Sequence, residues 1–324
     1  MKKQLLIAAV AATMATVSIA DVSITGNAVA NWTSIDTANV NNTAQFNHDI
    51  DLTVAGKTGD TTVSVTVANE TTGATNATDT ALDVENAFMA TKIMGANVKI
   101  GQWSGADSNM ANGTRSAGKF SADYTVSGVK VQFEDQSEGS SSVTVSGSVA
   151  GVSVSHETFQ NDDTDTSVSG SFGGVNATYR SVEEDVVAAG TVNGNDKVSF
   201  TLSTDVQGVT LSYVDVDVDG SAWATSDDFF GTFDGTGTNT INQAQGFAAS
   251  TAMAGNTVTL KSYDIKPLSS ATKDDSYTKL VVTRPLAAGA TFEMTYTDKD
   301  GGVAASDVAV ADVKTLDLEL SVKF

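Results

Sequence analysis

Few residues in this chain have the types and spacings that chemistry needs. The densest carboxylate pattern is Asp215, Asp217, Asp219 and Gly220, the opening of an EF-hand-like loop in which alternate carboxylates converge on calcium because glycine turns the chain. The twelfth position, where such a loop carries a bidentate Glu, is Ser226, followed by Asp227 and Asp228. Without that Glu, the alternation of Asp with Val reads equally as an acidic strand end. Asp298, Asp300, Gly301 and Gly302 have the same two readings. The histidines are His48 and His156. His156 and Glu157 begin a zinc-protease pattern, but Gln160 stands where the second His is needed, and the segment alternates as a strand where that pattern requires a helix. No nucleophile elbow, phosphate loop or complete dinucleotide fingerprint is present. The chain has no cysteine, which removes thiol chemistry, Cys-based metal sites and disulfides. Catalysis is therefore not expected, and calcium at Asp215, Asp217 and Asp219 is the one cofactor candidate.

The elements that would carry the charged residues are strands. Hydrophobic residues make up 40% of the 324 residues, Gly occurs 28 times and Pro only twice. Val, Thr and Ser dominate, and apolar residues recur every second position, which favours sheet over helix. With 18 Lys plus Arg against 39 Asp plus Glu, the net charge of -21 argues against nucleic acid as a partner. Residues 1–20 read as a cleaved secretory signal: Lys2 and Lys3, an apolar stretch, then Ser18, Ile19 and Ala20. The apolar stretch is short for a membrane anchor, the other reading of this segment. Beyond it no stretch approaches the ~20 apolar residues of a spanning helix. A chain of this kind meets a bilayer only through strands.

Residues 316–324 show the pattern at its clearest. Leu316, Leu318, Leu320, Val322 and Phe324 lie on one face, and Asp317, Glu319, Ser321 and Lys323 on the other. An open strand so patterned would be an aggregation-prone edge, and closure into a barrel removes the edge. Tight glycine-bearing turns, such as those at Gly95, Gly128, Gly151, Gly174, Gly208 and Gly255, take turns with longer polar connections. Short turns at one end and long loops at the other are the layout of outer-membrane barrels. Counting hairpins directly predicts eighteen strands in a single domain over 21–324.

At this point the chain resembles the general porins of Gram-negative outer membranes. The first strand after the signal, Asp21-Val22-Ser23-Ile24-Thr25-Gly26-Asn27-Ala28, is similar to that family's opening strand. The hairpin from Asn86 to Trp103, with Phe88, Met89, Gly95, Gly101 and Gln102, resembles its most recognisable segment, which leads into the third loop. The terminal Phe324 resembles its carboxy-terminal assembly signal. The resemblance implies an all-β transmembrane antiparallel barrel of sixteen strands, with short periplasmic turns and long extracellular loops, assembled as a homotrimer. It also implies that connection 104–117 folds inward and narrows the channel, placing Asp107 and Arg115, with Lys119 just beyond, at the constriction. The alternative is a loop folded outside. Gln102 would stand on the pore wall where the family often has a basic residue.

Phase supplies further wall positions. Where the apolar set faces lipid, Asp49, Asp51, Lys99, Lys130, Glu134, Lys261, Glu293, Asp317, Glu319 and Lys323 face inward. The expectation is an outer-membrane channel for passive diffusion of small hydrophilic solutes and ions. Its acidic excess would enrich cations weakly at the mouth. A secreted acidic, β-rich adhesin that binds calcium is the second reading, favoured by a repeat period, and no fixed-period repeat is found. A barrel enzyme such as a lipase would need a convergent Ser and His.

Overall fold

The computed structural model describes residues 21–37, 43–71, 83–103, 118–136, 141–183, 196–219, 241–267, 275–300 and 312–324. Residues 1–20, connection 104–117 with Asp107 and Arg115, and connection 220–240 lie outside the described residues.

The alternating β-branched and hydroxyl residues favour extended backbone. They form β1 (Asp21–Thr37), β2 (Thr43–Thr58), β3 (Thr61–Thr71), β4 (Asp83–Ile93), β5 (Ala96–Gln102) and β6 (Lys119–Val126). There follow β7 (Val129–Gln136), β8 (Ser142–Val149), β9 (Val152–Phe159), β10 (Thr164–Phe172), β11 (Val175–Glu183) and β12 (Asp196–Val206). The last six are β13 (Val209–Asp219), β14 (Ile241–Met253), β15 (Asn256–Pro267), β16 (Asp275–Pro285), β17 (Ala290–Asp300) and β18 (Val313–Lys323). All lie in one 18-stranded antiparallel sheet, each strand paired with its neighbours in chain order. Because β1 pairs with both β2 and β18, the sheet closes on itself. The hairpin count of eighteen is the observed number, and the sixteen implied by the general-porin resemblance is corrected.

The tight turns work through left-handed backbone. Met94–Gly95, Ser127–Gly128, Ala150–Gly151, Gln207–Gly208 and Ala254–Gly255 each place both residues at positive φ, for example 52° at Ala150 and 82° at Gly151. That is type I′ geometry, whose twist matches the flanking strands.

Closure is completed at Phe324. The Gly26 N–H donates to the Phe324 carbonyl at 2.7 Å, and the Phe324 N–H donates to the Gly26 carbonyl at 3.0 Å. A Cβ on Gly26 would lie 2.3 Å from Phe324 Cζ, so the aromatic terminus occupies the space that a side chain at Gly26 would fill.

Along most strands the apolar set faces out. Ile24 is 63% exposed, Phe46 61% and Leu260 51%, values that belong to a surface and not to a core. The expected phase inverts at the loop end of β13. There Val214, Val216 and Val218 face inward and join Ala244, Tyr263, Ile265 and Tyr277 in a buried cluster on the inner wall. Asp215 and Asp217 consequently face outward, across from Gln245 and Gln243. The polar outer rows continue across neighbouring strands. Asp215, Gln245, Asp264, Ser276 and Asp300 are successive register partners, as are Ser262, Thr278, Asp298, Lys314 and Asp36. Together they form a polar collar, tied by Lys266 Nζ donating to Gln243 at 2.8 Å and Ser276 Oγ donating to Asp264 at 2.6 Å. The collar marks where the apolar outer band ends.

Candidate functional site

The candidate site is the inner wall, built from every second residue of the strands. On β2, Asp49 and Asp51 share the inner face with Val29 and Asn27 of β1 and with Ala68 of β3. On β18, Asp317 and Glu319 stand opposite Thr295 and Glu293 of β17. Glu293 accepts hydrogen bonds from the Thr283 hydroxyl at 2.9 Å and the Thr295 hydroxyl at 3.4 Å. Sheet order makes these strands adjacent, so the carboxylates form one acidic arc over β17, β18, β1 and β2.

A basic sector lies on β5 to β7, separated from the arc by β3 and β4. Lys99 Nζ lies 4.0 Å from the Phe88 ring centroid and 4.1 Å from that of Trp103. The two rings meet edge-on, with centroids 6.4 Å apart at 75°. An ammonium held between aromatic faces is attracted by both ring quadrupoles. Gly101 makes the arrangement possible: at φ 141° it pairs with Phe88, where a Cβ would come within 2.2 Å of the Ala87 carbonyl oxygen. Lys119, 5.7 Å from the Trp103 ring, makes an ion pair with Glu134 at 3.7 Å. The Asn97 side chain donates to Asp123 at 2.8 Å, and Lys130 Nζ donates to Gln132 Oε1 at 2.8 Å.

Further round the wall, Arg180 Nε donates to both oxygens of Asp165, at 2.9 and 3.1 Å, and its terminal nitrogen also donates to Asp165 Oδ2. Lys261 and Lys279 stand directly opposite one another across β15 and β16. The wall thus carries charge of both signs, grouped by strand.

The closed ring, apolar outside and charged inside, invites comparison with solved barrels. It is similar in fold to outer-membrane porins. Pseudomonas aeruginosa OccK3 (OpdO) superposes with a TM-score of 0.70 at 10% identity, over 94% of this chain and 96% of that one. Pseudomonas aeruginosa OccD3 (OpdP) gives 0.68 at 12%, covering 94% and 92%, and Acinetobacter baumannii OccAB4 gives 0.65 at 9%, covering 94% and 98%. At such identities the likeness is one of fold. The sequence matches no family model and no curated protein.

The structure places Asp49, Asp51, Lys99, Lys130 and Glu293 on the inner face, and Lys119 there too, buried. It brings Lys99 and Lys119 together around Trp103, whereas Asp49, Asp51 and Glu293 belong to the acidic arc. Gln102 is a correction. It pairs with Ala87, on the outer face with Met89 and Ile100, because strict alternation through Gly101 turns it away from the interior. Asp215, Asp217 and Asp219 lie in the regular strand β13, with Asp215 and Asp217 on its outer face, and the rest of the EF-hand-like pattern, residues 220–228, lies outside the described residues. Among the described residues no group of three or more His, Asp or Glu converges as a metal site. His48 and His156 face outward, His48 within 3.2 Å of Asn69 Oδ1 and His156 within 2.8 Å of the Thr166 hydroxyl.

Sequence reasoning missed the Phe88 and Trp103 clamp on Lys99. At 87–90 both faces carry apolar residues, so periodicity gives no phase there. It also missed the Arg180–Asp165 pair, whose partners are fixed only by the β10–β11 register.

Proposed function

We propose that the chain is an outer-membrane porin, a water-filled channel for passive diffusion of small hydrophilic solutes and ions. The observation that carries this reading is the closed ring whose outer face is apolar and whose inner face is charged, the inverse of a soluble barrel. A bilayer would accept the outer face and water the inner one. Aromatic residues support the placement: Tyr213 and Tyr296 lie outward, each two residues below a collar position at Asp215 and Asp298, and Trp32 lies outward four residues below the collar position at Asp36. That is the level at which aromatic girdles sit. Tyr124, outward near the turn at Gly128, fits the opposite girdle.

On this reading residues 1–20 direct export and are removed, leaving one barrel domain from Asp21. The barrel assembles as a homotrimer, as the general-porin resemblance implies. No chemical step and no resident cofactor belong to the mechanism. Solutes cross down their gradients, filtered by the width of the path and the charges along it. The acidic arc, with the net charge of -21, lowers the energy of cations in the lumen, while Lys99, Lys119 and Lys130 oppose it. Weak cation preference is the expected balance. Purified protein in planar bilayers tests the reading: conductance steps should appear, with a reversal potential in a potassium chloride gradient of the cation-preferring sign. Absence of steps where a control porin inserts would refute the channel, and an anion-preferring potential would refute the charge argument alone.

A further inference from the structure

Sheet order sets β9 nine strands from β18 in either direction, so β8 to β10 lie across the barrel from the acidic arc. Toward the tight turns their inner face carries hydroxyls, with the carboxylates of Glu157 and Asp165 one row further along the same face. Ser146, Ser155 and Ser167 are consecutive register partners, and beside them Ser148, Ser153 and Ser169 form a second such row. These six serines, with Lys130 at one edge, line a recess of 480 Å³ near the tight turns at Gly128 and Gly151. The nearest wall cations are already engaged: Lys130, at one end of the first row, with Gln132, and Arg180, at the other, with Asp165. Serine is also the smallest side chain that both donates and accepts hydrogen bonds, so the wall is set back as well as hydroxylic.

From this geometry we infer that the recess is a lane for neutral polyhydroxylated solutes, the sugar and polyol class, separate from the acidic side used by cations. The inference rests on the porin reading and names a solute class for it. A polyol entering the recess exchanges water for serine hydroxyls one for one, so little hydrogen bonding is lost. Against the carboxylate arc the same solute would have to displace water oriented by charge, which costs more. Ser148 Oγ and Ser153 Oγ, 2.8 Å apart, already act as a donor and acceptor pair of the kind a vicinal diol would meet.

The test compares proteoliposome swelling in glucose with single-channel conductance in potassium chloride. A Ser146→Ala, Ser155→Ala, Ser167→Ala, Ser169→Ala variant removes hydroxyls without narrowing the lumen. Its glucose rate should fall about threefold, the loss expected when one net hydrogen bond is forfeited, while conductance stays near that of the parent. The matching Ser→Thr variant keeps hydroxyls and should keep the ratio of glucose rate to conductance. Should the fourfold variant fail to assemble, as judged by heat-modifiable migration, Ser155→Ala with Ser167→Ala carries the same comparison. An unchanged glucose rate overturns the inference, as does a larger loss for gluconate than for glucose, which would mark an anion lane. A parent without conductance steps fails the porin reading itself.

Discussion

Gly101 offers the sharpest test of how the wall is built. Its φ of 141° lies in a region that side chains of L-residues rarely enter, and a Cβ there would sit 2.2 Å from Ala87 O and 2.6 Å from Phe88 Cα. Both atoms belong to the backbone of β4, so relief requires the β4–β5 ladder itself to open. Backbone strain of ~1–3 kcal/mol and overpacking of ~1–3 kcal/mol together predict that Gly101→Ala lowers stability by roughly 2–6 kcal/mol. Gly128→Ala is the control. Gly128 is also at positive φ, 85°, but nothing lies within 4 Å of its Cβ position, leaving only a conformational cost of about 1–2 kcal/mol. Urea titration of the folded barrel, read as the heat-modifiable band on unheated gels, measures both. Failure of Gly101→Ala to assemble where Gly128→Ala assembles is the strong form of the expected result. Equal midpoints for the two variants would refute the claim that close approach of β4, and not turn chemistry, fixes glycine at 101.

Other expectations follow from the same wall. Arg180→Met leaves the Asp165 carboxylate, 14% exposed, without its guanidinium; with Arg180 itself 32% exposed, the discounted loss is about 1–3 kcal/mol in urea titration, and adding Asp165→Asn should recover most of it. Lys99→Met removes a fixed positive charge from the basic sector, so the reversal potential should move toward cations, more at 0.1 M salt, where screening acts over ~10 Å, than at 1 M. Leu318→Lys, within the outer apolar band, should cost roughly 2–4 kcal/mol in lipid, whereas Thr278→Lys in the collar should cost at most about 1 kcal/mol; equal losses would mean the band is misplaced.

Much of the barrel was legible because closure and register are written locally. Turn glycines and strict alternation fix which residues share a face, so Asp49, Asp51, Lys99, Lys130 and Glu293 could be assigned a side before any neighbour was known. What alternation cannot supply is the identity of neighbours across strands. Lys119 with Glu134, Arg180 with Asp165 and the serine rows come from pairings between strands, and a single sequence carries no register. Where both faces of a segment are apolar, as at Phe88 and Met89, or where glycine intervenes, as at Gly101 before Gln102, phase itself becomes ambiguous. Nor does phase show that Trp103 clamps Lys99 or that Tyr263 stacks on Tyr277 at 4.8 Å, both on the inner wall.

The inversion on β13 shows why one alternation rule cannot run the full length of a strand. Below Tyr213 the outer surroundings are apolar, and Leu211 faces them; above it the collar begins, and Asp215 and Asp217 face outward at no desolvation cost if water is there. The inner positions are then released from contact with a solvated path, and Val214, Val216 and Val218 bury against Tyr263 and Ile265. On the proposed porin reading, alternating carboxylates of this kind are what a strand carries where it leaves an apolar slab. Its Asp residues mark the height of the outer boundary, and the valines between them show that the wall at that height is packed, not wetted.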